Sequence, residues 1–201
     1  MGTVSSSCSH LIGNRYVGDL DIPTIYEYWV LFQLLNFLRD RWGDPVETAP
    51  LVSTSATAAD VPDGFRASYR NGAVLRFQAE IPSYSRLVLR PDFSLNRNGR
   101  LLLLDAKYRK TGGEGALYGN DGEAFGQGTF QSDDLIKMHA YRDALPGAVG
   151  AWAIYPGSST RTFESKEGIK VGALALCPGA ARANQMVLEE LGQQLAWFLD
   201  A

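Results

Sequence analysis

The sequence predicts an α/β sandwich built around a mixed β-sheet, and three observations carry that expectation. Ala148 to Tyr155 (AVGAWAIY) and Val171 to Cys177 (VGALALC) are near-continuous apolar runs, as expected of strands buried on both faces. Asn71-Gly72 and Asn98-Gly99 mark two antiparallel hairpins, because both central positions of a type I′ turn need positive φ, which Asn and Gly tolerate best. Segments of helical periodicity precede, separate and follow the strands, which gives the layering of an α/β sandwich.

Residues 1–20 are Ser-rich and without periodicity, a loose lead-in to one domain over 21–201, since 201 residues fit a single core of ordinary size. A helix is expected from Pro23 to Trp42. Pro suits a first turn, and Tyr28, Leu31, Phe32, Leu35, Leu38 and Trp42 recur at helical spacing, with Ile25, Trp29, Leu34 and Phe37 widening the buried stripe. Thr24-x-x-Glu27 matches a capping box, which would account for Glu27 by itself. Residues 43–64 are rich in Pro, Ser, Thr and Ala and read as a surface excursion. Phe65 to Tyr69 and Ala73 to Ile81 are expected as strands, with Glu80 facing solvent.

Residues 110–132 contain seven glycines. A loop of that length in a compact domain is a lid or a tether; as a lid it would bring Tyr118, Phe125 and Phe130 to a substrate. Ser132 then suits an N-cap, with Asp133 and Asp134 in the favourable first turn of a helix to Leu145. Residues 157–168 form a polar connection. Arg182 to Leu199 is an amphipathic helix, its apolar side Met186, Leu188, Leu191, Leu195 and Phe198.

The chemistry concentrates between Arg90 and Lys110 (RPDFSLNRNGRLLLLDAKYRK). If Asn98 and Gly99 are the two loop residues, Arg97 pairs with Arg100, and counting outward sets Asp92 opposite Asp105. Opposed residues share a face with Cβ atoms roughly 4.5 to 5.5 Å apart. Two carboxylates so placed repel unless one keeps a proton or a cation sits between them, and a hard divalent cation resolves this most simply. Lys107 returns to the same face two residues later, while Ala106 points away. Phe93, Leu95, Leu102 and Leu104 make the other face an apolar one for packing under a helix, so that one side is chemistry and the other core.

Composition narrows the alternatives. The net charge of −3 and pI of about 5.4 argue against coating nucleic acid by bulk electrostatics. Yet Arg86 to Lys110 holds seven basic residues (Arg86, Arg90, Arg97, Arg100, Lys107, Arg109, Lys110) against two acids, suited to gripping a phosphate backbone at one place. Arg90, Arg109 and Lys110 flank the acid pair and are the nucleic-acid-binding candidates. Cys8 and Cys177 lack metal-ligand spacing. No apolar run approaches membrane length and no secretory leader is visible, so a cytoplasmic location is expected.

Pro91-Asp92 followed by Asp105-Ala106-Lys107 resembles the PD-(D/E)XK signature of the restriction-endonuclease-like nucleases. Tyr26-Glu27-Tyr28-Trp29 and the segment Asp134 to Asp143 (DLIKMHAYRD) are similar to the McrC-like nuclease subunits of modification-dependent restriction systems, over roughly residues 22–156. The resemblance implies a restriction-endonuclease-like α/β/α sandwich and an endonuclease acting on DNA. Asp92, Asp105 and the Ala106 carbonyl would bind Mg²⁺, with Mn²⁺ as a substitute; Lys107 would serve the attacking water, and Glu27 would complete the acidic cluster. It also suggests Gln131, Lys137 and Tyr141 as phosphate contacts. A nucleotide-driven motor or recognition subunit is the implied partner, since the chain has no G-x-x-x-x-G-K-[ST] loop. The competing expectation is a non-cleaving module on the same fold that binds nucleic acid or a partner.

Overall fold

Pro23 lies in the first turn of a helix, where its missing N–H costs nothing and its fixed φ is already helical. That helix, α1 (Ile22–Trp42), opens the computed structural model, which describes residues 21–49, 53–55, 58–61, 64–108 and 132–199. The expected lead-in over 1–20 and nearly all of the Gly-rich loop, with Tyr118, Phe125 and Phe130, lie outside these residues. The N-cap is Asp21, whose carboxylate accepts the Thr24 N–H at 2.9 Å. The capping box centred on Thr24 is therefore not formed, and Glu27 is left to another purpose. Tyr26, Val30, Leu31, Leu34 and Leu38 are buried, whereas Ile25 and Phe32 are exposed. Seven residues apart, those two share the side of α1 turned away from the sheet.

The expected surface excursion contains three short strands, β1 (Glu47–Thr48), β2 (Ser53–Ser55) and β3 (Ala58–Asp60). β1 joins the main sheet, and β2 pairs with β3. The first Asn-Gly hairpin joins β4 (Arg66–Ser68) to β5 (Val74–Phe77). The Tyr69 N–H bonds the Ala73 carbonyl, and of the loop residues 70–72 only Gly72 has positive φ, 79°. The turn thus has three residues with a left-handed glycine last, rather than two in a type I′ turn. β5 stops at Phe77, short of the expected Ile81, because Gln78 turns left-handed at φ 47°. Glu80 is exposed just beyond it, and β6 (Ile81–Pro82) pairs instead with β7 (Val88–Leu89).

The central hairpin forms as its sequence requires. β8 (Phe93–Arg97) and β9 (Arg100–Ala106) flank Asn98 and Gly99, both at positive φ (51° and 76°), with Arg97 opposite Arg100 and Phe93 opposite Leu104. α2 (Ser132–Ala144) and β10 (Ala148–Tyr155) follow where expected. The polar connection after β10 holds a further strand, β11 (Arg161–Glu164), antiparallel to β12 (Lys170–Ala175). The last helix is broken at Leu195 into α3 (Ala181–Gln194) and α4 (Ala196–Leu199), and Met186 is 62% exposed rather than inward.

The eight-stranded sheet runs β1-β4-β5-β8-β9-β10-β12-β11. β10 is parallel to both β9 and β12, and the other neighbours are antiparallel, so the sheet is mixed. Strand alternation divides the core. Phe93, Leu95, Leu102, Leu104, Trp152 and Ile154 pack with α1, α3 and α4, while Leu101, Leu103, Ala151, Ala153 and Val171 pack under Met138 and Tyr141 of α2. Both faces of the central hairpin are therefore core. Each fully buried Leu or Phe contributes about 1.5–3 kcal/mol, so the hairpin is clamped along its length and chemistry is confined to its open end. Among the described residues no helix is long and apolar enough to cross a membrane.

Candidate active site

The ladder register sets the acid pair. Phe93 faces Leu104, so the next step outward places Asp92 beside Asp105. Asp92 Oδ2 accepts the Ala106 N–H at 2.7 Å, which ties the carboxylate to the neighbouring strand. Asp105 is fully buried. Its oxygens are met by Lys107 Nζ, which bonds Oδ2, and by Lys137 Nζ from α2, 3.0 Å from Oδ1 and 3.2 Å from Oδ2. Tyr141 Oη donates to the Arg90 carbonyl at 3.1 Å and lies 3.4 Å from Asp105 Oδ1. Lys137 and Tyr141, suggested as phosphate contacts, thus converge on Asp105, and Tyr141 is buried.

The third acid arrives from the other layer. Glu27, one turn into α1, receives Gln78 Nε2 at 2.6 Å on its Oε2, and the Gln78 Oε1 accepts Arg90 Nη2 at 2.7 Å. Glu27 and both aspartates lie within electrostatic reach of one another, and each acid's charge acts on Asp92. Burial above all, then the Asp105 and Glu27 charges, push the Asp92 carboxyl up to about 7, against the pull of Lys107 and the Ala106 N–H. Burial also raises Glu27; the Gln78 hydrogen bond opposes this and the Asp105 charge adds to it. On Lys137, burial lowers the ammonium pKa, but the Asp105 charge and hydrogen bond outweigh it and the net shift is upward. Two of the acids therefore resist ionisation, while Asp105 is matched by ammonium groups.

The basic residues do not form one patch. Arg97 is buried at the turn end of the hairpin, donating to the Phe198 carbonyl at 3.1 Å and lying over the Trp42 ring. Arg100 is also at that end, five residues and about 17 Å of strand from Asp105. Arg90 and Lys107 stand at the acid end. Arg109, Lys110 and Gln131 fall outside the described residues. Gln78 carried no recognisable sign in the sequence, because a left-handed Gln has none.

The donors at the open end are hard oxygens: two aspartates, with the Ala106 carbonyl between them in sequence and Glu27 nearby. Such a set suits a hard divalent ion, and Asp92, raised first by its burial and then by the Asp105 and Glu27 charges, is the carboxyl that a bound cation would most help to ionise. Among the described residues no three acid, His or Cys side chains already converge on one point; Lys107 and Lys137 occupy the Asp105 oxygens instead.

An acid pair and a lysine at the open end of a hairpin, set in a mixed sheet flanked by helices, define the restriction-endonuclease-like class. The chain belongs to the PD-(D/E)XK nuclease superfamily, whose family model matches residues 24–160. Nucleases of that superfamily usually work with divalent metal ions. The match takes in Glu27, Asp92, Asp105, Lys107, Lys137 and Tyr141, and stops just before β11. No curated protein matches the chain.

Proposed function

We propose that the chain is a Mg²⁺-dependent endonuclease that hydrolyses phosphodiester bonds of DNA, with Asp92, Asp105 and Lys107 at its centre. The observation that carries the reading is the placing of Asp92 and Asp105 side by side at the end of the central hairpin, with Lys107 on Asp105 and Asp92 made hard to ionise by its burial and by the neighbouring acids. Asp92, Asp105 and the Ala106 carbonyl would hold Mg²⁺ or Mn²⁺. Bound there, the ion would polarise a phosphoryl oxygen and make a water nucleophilic. Lys107 would orient that water and stabilise the charge gathering on the phosphate oxygens. Arg90, exposed beside the acids, would bind a flanking phosphate, as would Arg109, Lys110 and Gln131. Glu27 would complete the acidic cluster.

Similarity to McrC-like subunits supports placing the chain in a cytoplasmic restriction or defence system, beside a nucleotide-driven motor or recognition subunit. A non-cleaving nucleic-acid or partner-binding module is favoured by one observation: Asp105 is already met by two ammonium groups and a tyrosine hydroxyl, so it needs no ion as it stands. Supercoiled plasmid incubated with the protein separates the readings. Nicking or linearisation in Mg²⁺ or Mn²⁺, abolished by EDTA and by Asp92→Asn, is the expected result. Intact plasmid in all conditions, with DNA retained in a mobility shift, would give the case to the module.

A further inference from the structure

Gln78 stands out first by its backbone. Phe77 pairs with Phe93, so the next residue falls opposite Asp92, and the Gln78 N–H does donate to the Asp92 carbonyl at 2.7 Å. An extended Gln78 would turn its side chain to the same face as Asp92, the α2 face. Its φ of 47° breaks the strand there. Only glycine, and to a lesser degree Asn and Asp, adopts that conformation at little cost, and strain of this kind beside a site points to a use. The use is visible: the side chain reaches Glu27 on α1, in the opposite layer.

The amide then works at both ends. Nε2 donates to the Glu27 carboxylate at 2.6 Å and Oε1 accepts from the Arg90 guanidinium at 2.7 Å, two charge-assisted bonds. A carboxamide is a neutral side chain that offers a donor to an anion and, from a separate atom, an acceptor to a cation. One side chain thus ties the third acid to the guanidinium beside the aspartates.

We infer that Gln78 is a positioning residue, held in a left-handed turn so that its carboxamide fixes Glu27 against the two aspartates and Arg90 beside them; this rests on the nuclease reading above. Gln78→Gly relieves the backbone and deletes the bridge. Its melting temperature should equal or exceed the parent's while single-turnover cleavage at saturating DNA falls about 10- to 100-fold, the scale of a misplaced site group, and DNA affinity measured in Ca²⁺ changes by less. Combined with Glu27→Ala, the glycine variant should add little to the loss Glu27→Ala causes alone, because both act through the same carboxylate. Gln78→Glu covers the case in which glycine unsettles the turn: it keeps an acceptor for Arg90, sets a repelling carboxylate against Glu27, and should also lose rate. A parent that cleaves and a folded Gln78→Gly or Gln78→Glu variant that cleaves as fast, or losses that multiply in the double variant, would overturn the inference. A parent that does not cleave at all would instead remove the nuclease reading beneath it.

Discussion

The Asp92 carboxyl, pushed up to about 7 from an ordinary value of 3.8, makes this end of the sheet sensitive to pH. Between those values the folded chain holds a proton that the unfolded chain has released, so the contribution of this group to stability is full below 3.8 and is lost as pH rises through about 7. Asp92→Asn keeps an acceptor for the Ala106 N–H and removes the charge. Thermal melts should therefore show its advantage over the parent growing from pH 5 to pH 8; a variant less stable than the parent at pH 8 would contradict this. Asp105→Asn should do the opposite, costing about 1–3 kcal/mol, because it strips a buried partner from Lys107, Lys137 and Tyr141. From the sequence the two aspartates are equivalent. Turn chemistry and strand alternation suffice to bring Asp92, Asp105 and Lys107 together, but the approach of Lys137 from another layer is a matter of tertiary distance that no local pattern records.

At the scale of elements, legibility follows the strength of the apolar pattern. β10 lies where AVGAWAIY places it, since a strand buried on both faces leaves a continuous run. β11 is an edge strand whose Arg161, Phe163 and Glu164 are exposed, and its RTFE sequence looks like loop. β5 ends early for a reason held in one dihedral angle, and α1 is capped a turn ahead of its apparent box. That last correction has a direct check: Asp21→Ala should lower the melting temperature by removing the acceptor for the Thr24 N–H, whereas Thr24→Ala should leave it nearly unchanged. Equal losses in the two variants would restore the capping box and return Glu27 to a structural role.

Across the whole molecule, the layers fix where reaction is possible. Helices cover both faces of the hairpin, so its polar groups gather at its two ends, and Asp92 and Asp105 lie at the end away from the turn, with Lys137 and Glu27 arriving from opposite sides. The run of basic residues that looked like one grip is divided, with Arg97 spent on the core, so the proposed contact with a phosphate backbone is left to residues at the acid end. The most direct test is a paired measurement on Lys107→Ala with one DNA: single-turnover cleavage in Mg²⁺ and equilibrium binding in Ca²⁺. Cleavage should fall by about 10² or more, with affinity only modestly reduced and the salt slope lower by about one. Equal proportional losses in the two assays would make Lys107 a tether for DNA and contradict its place in the chemistry.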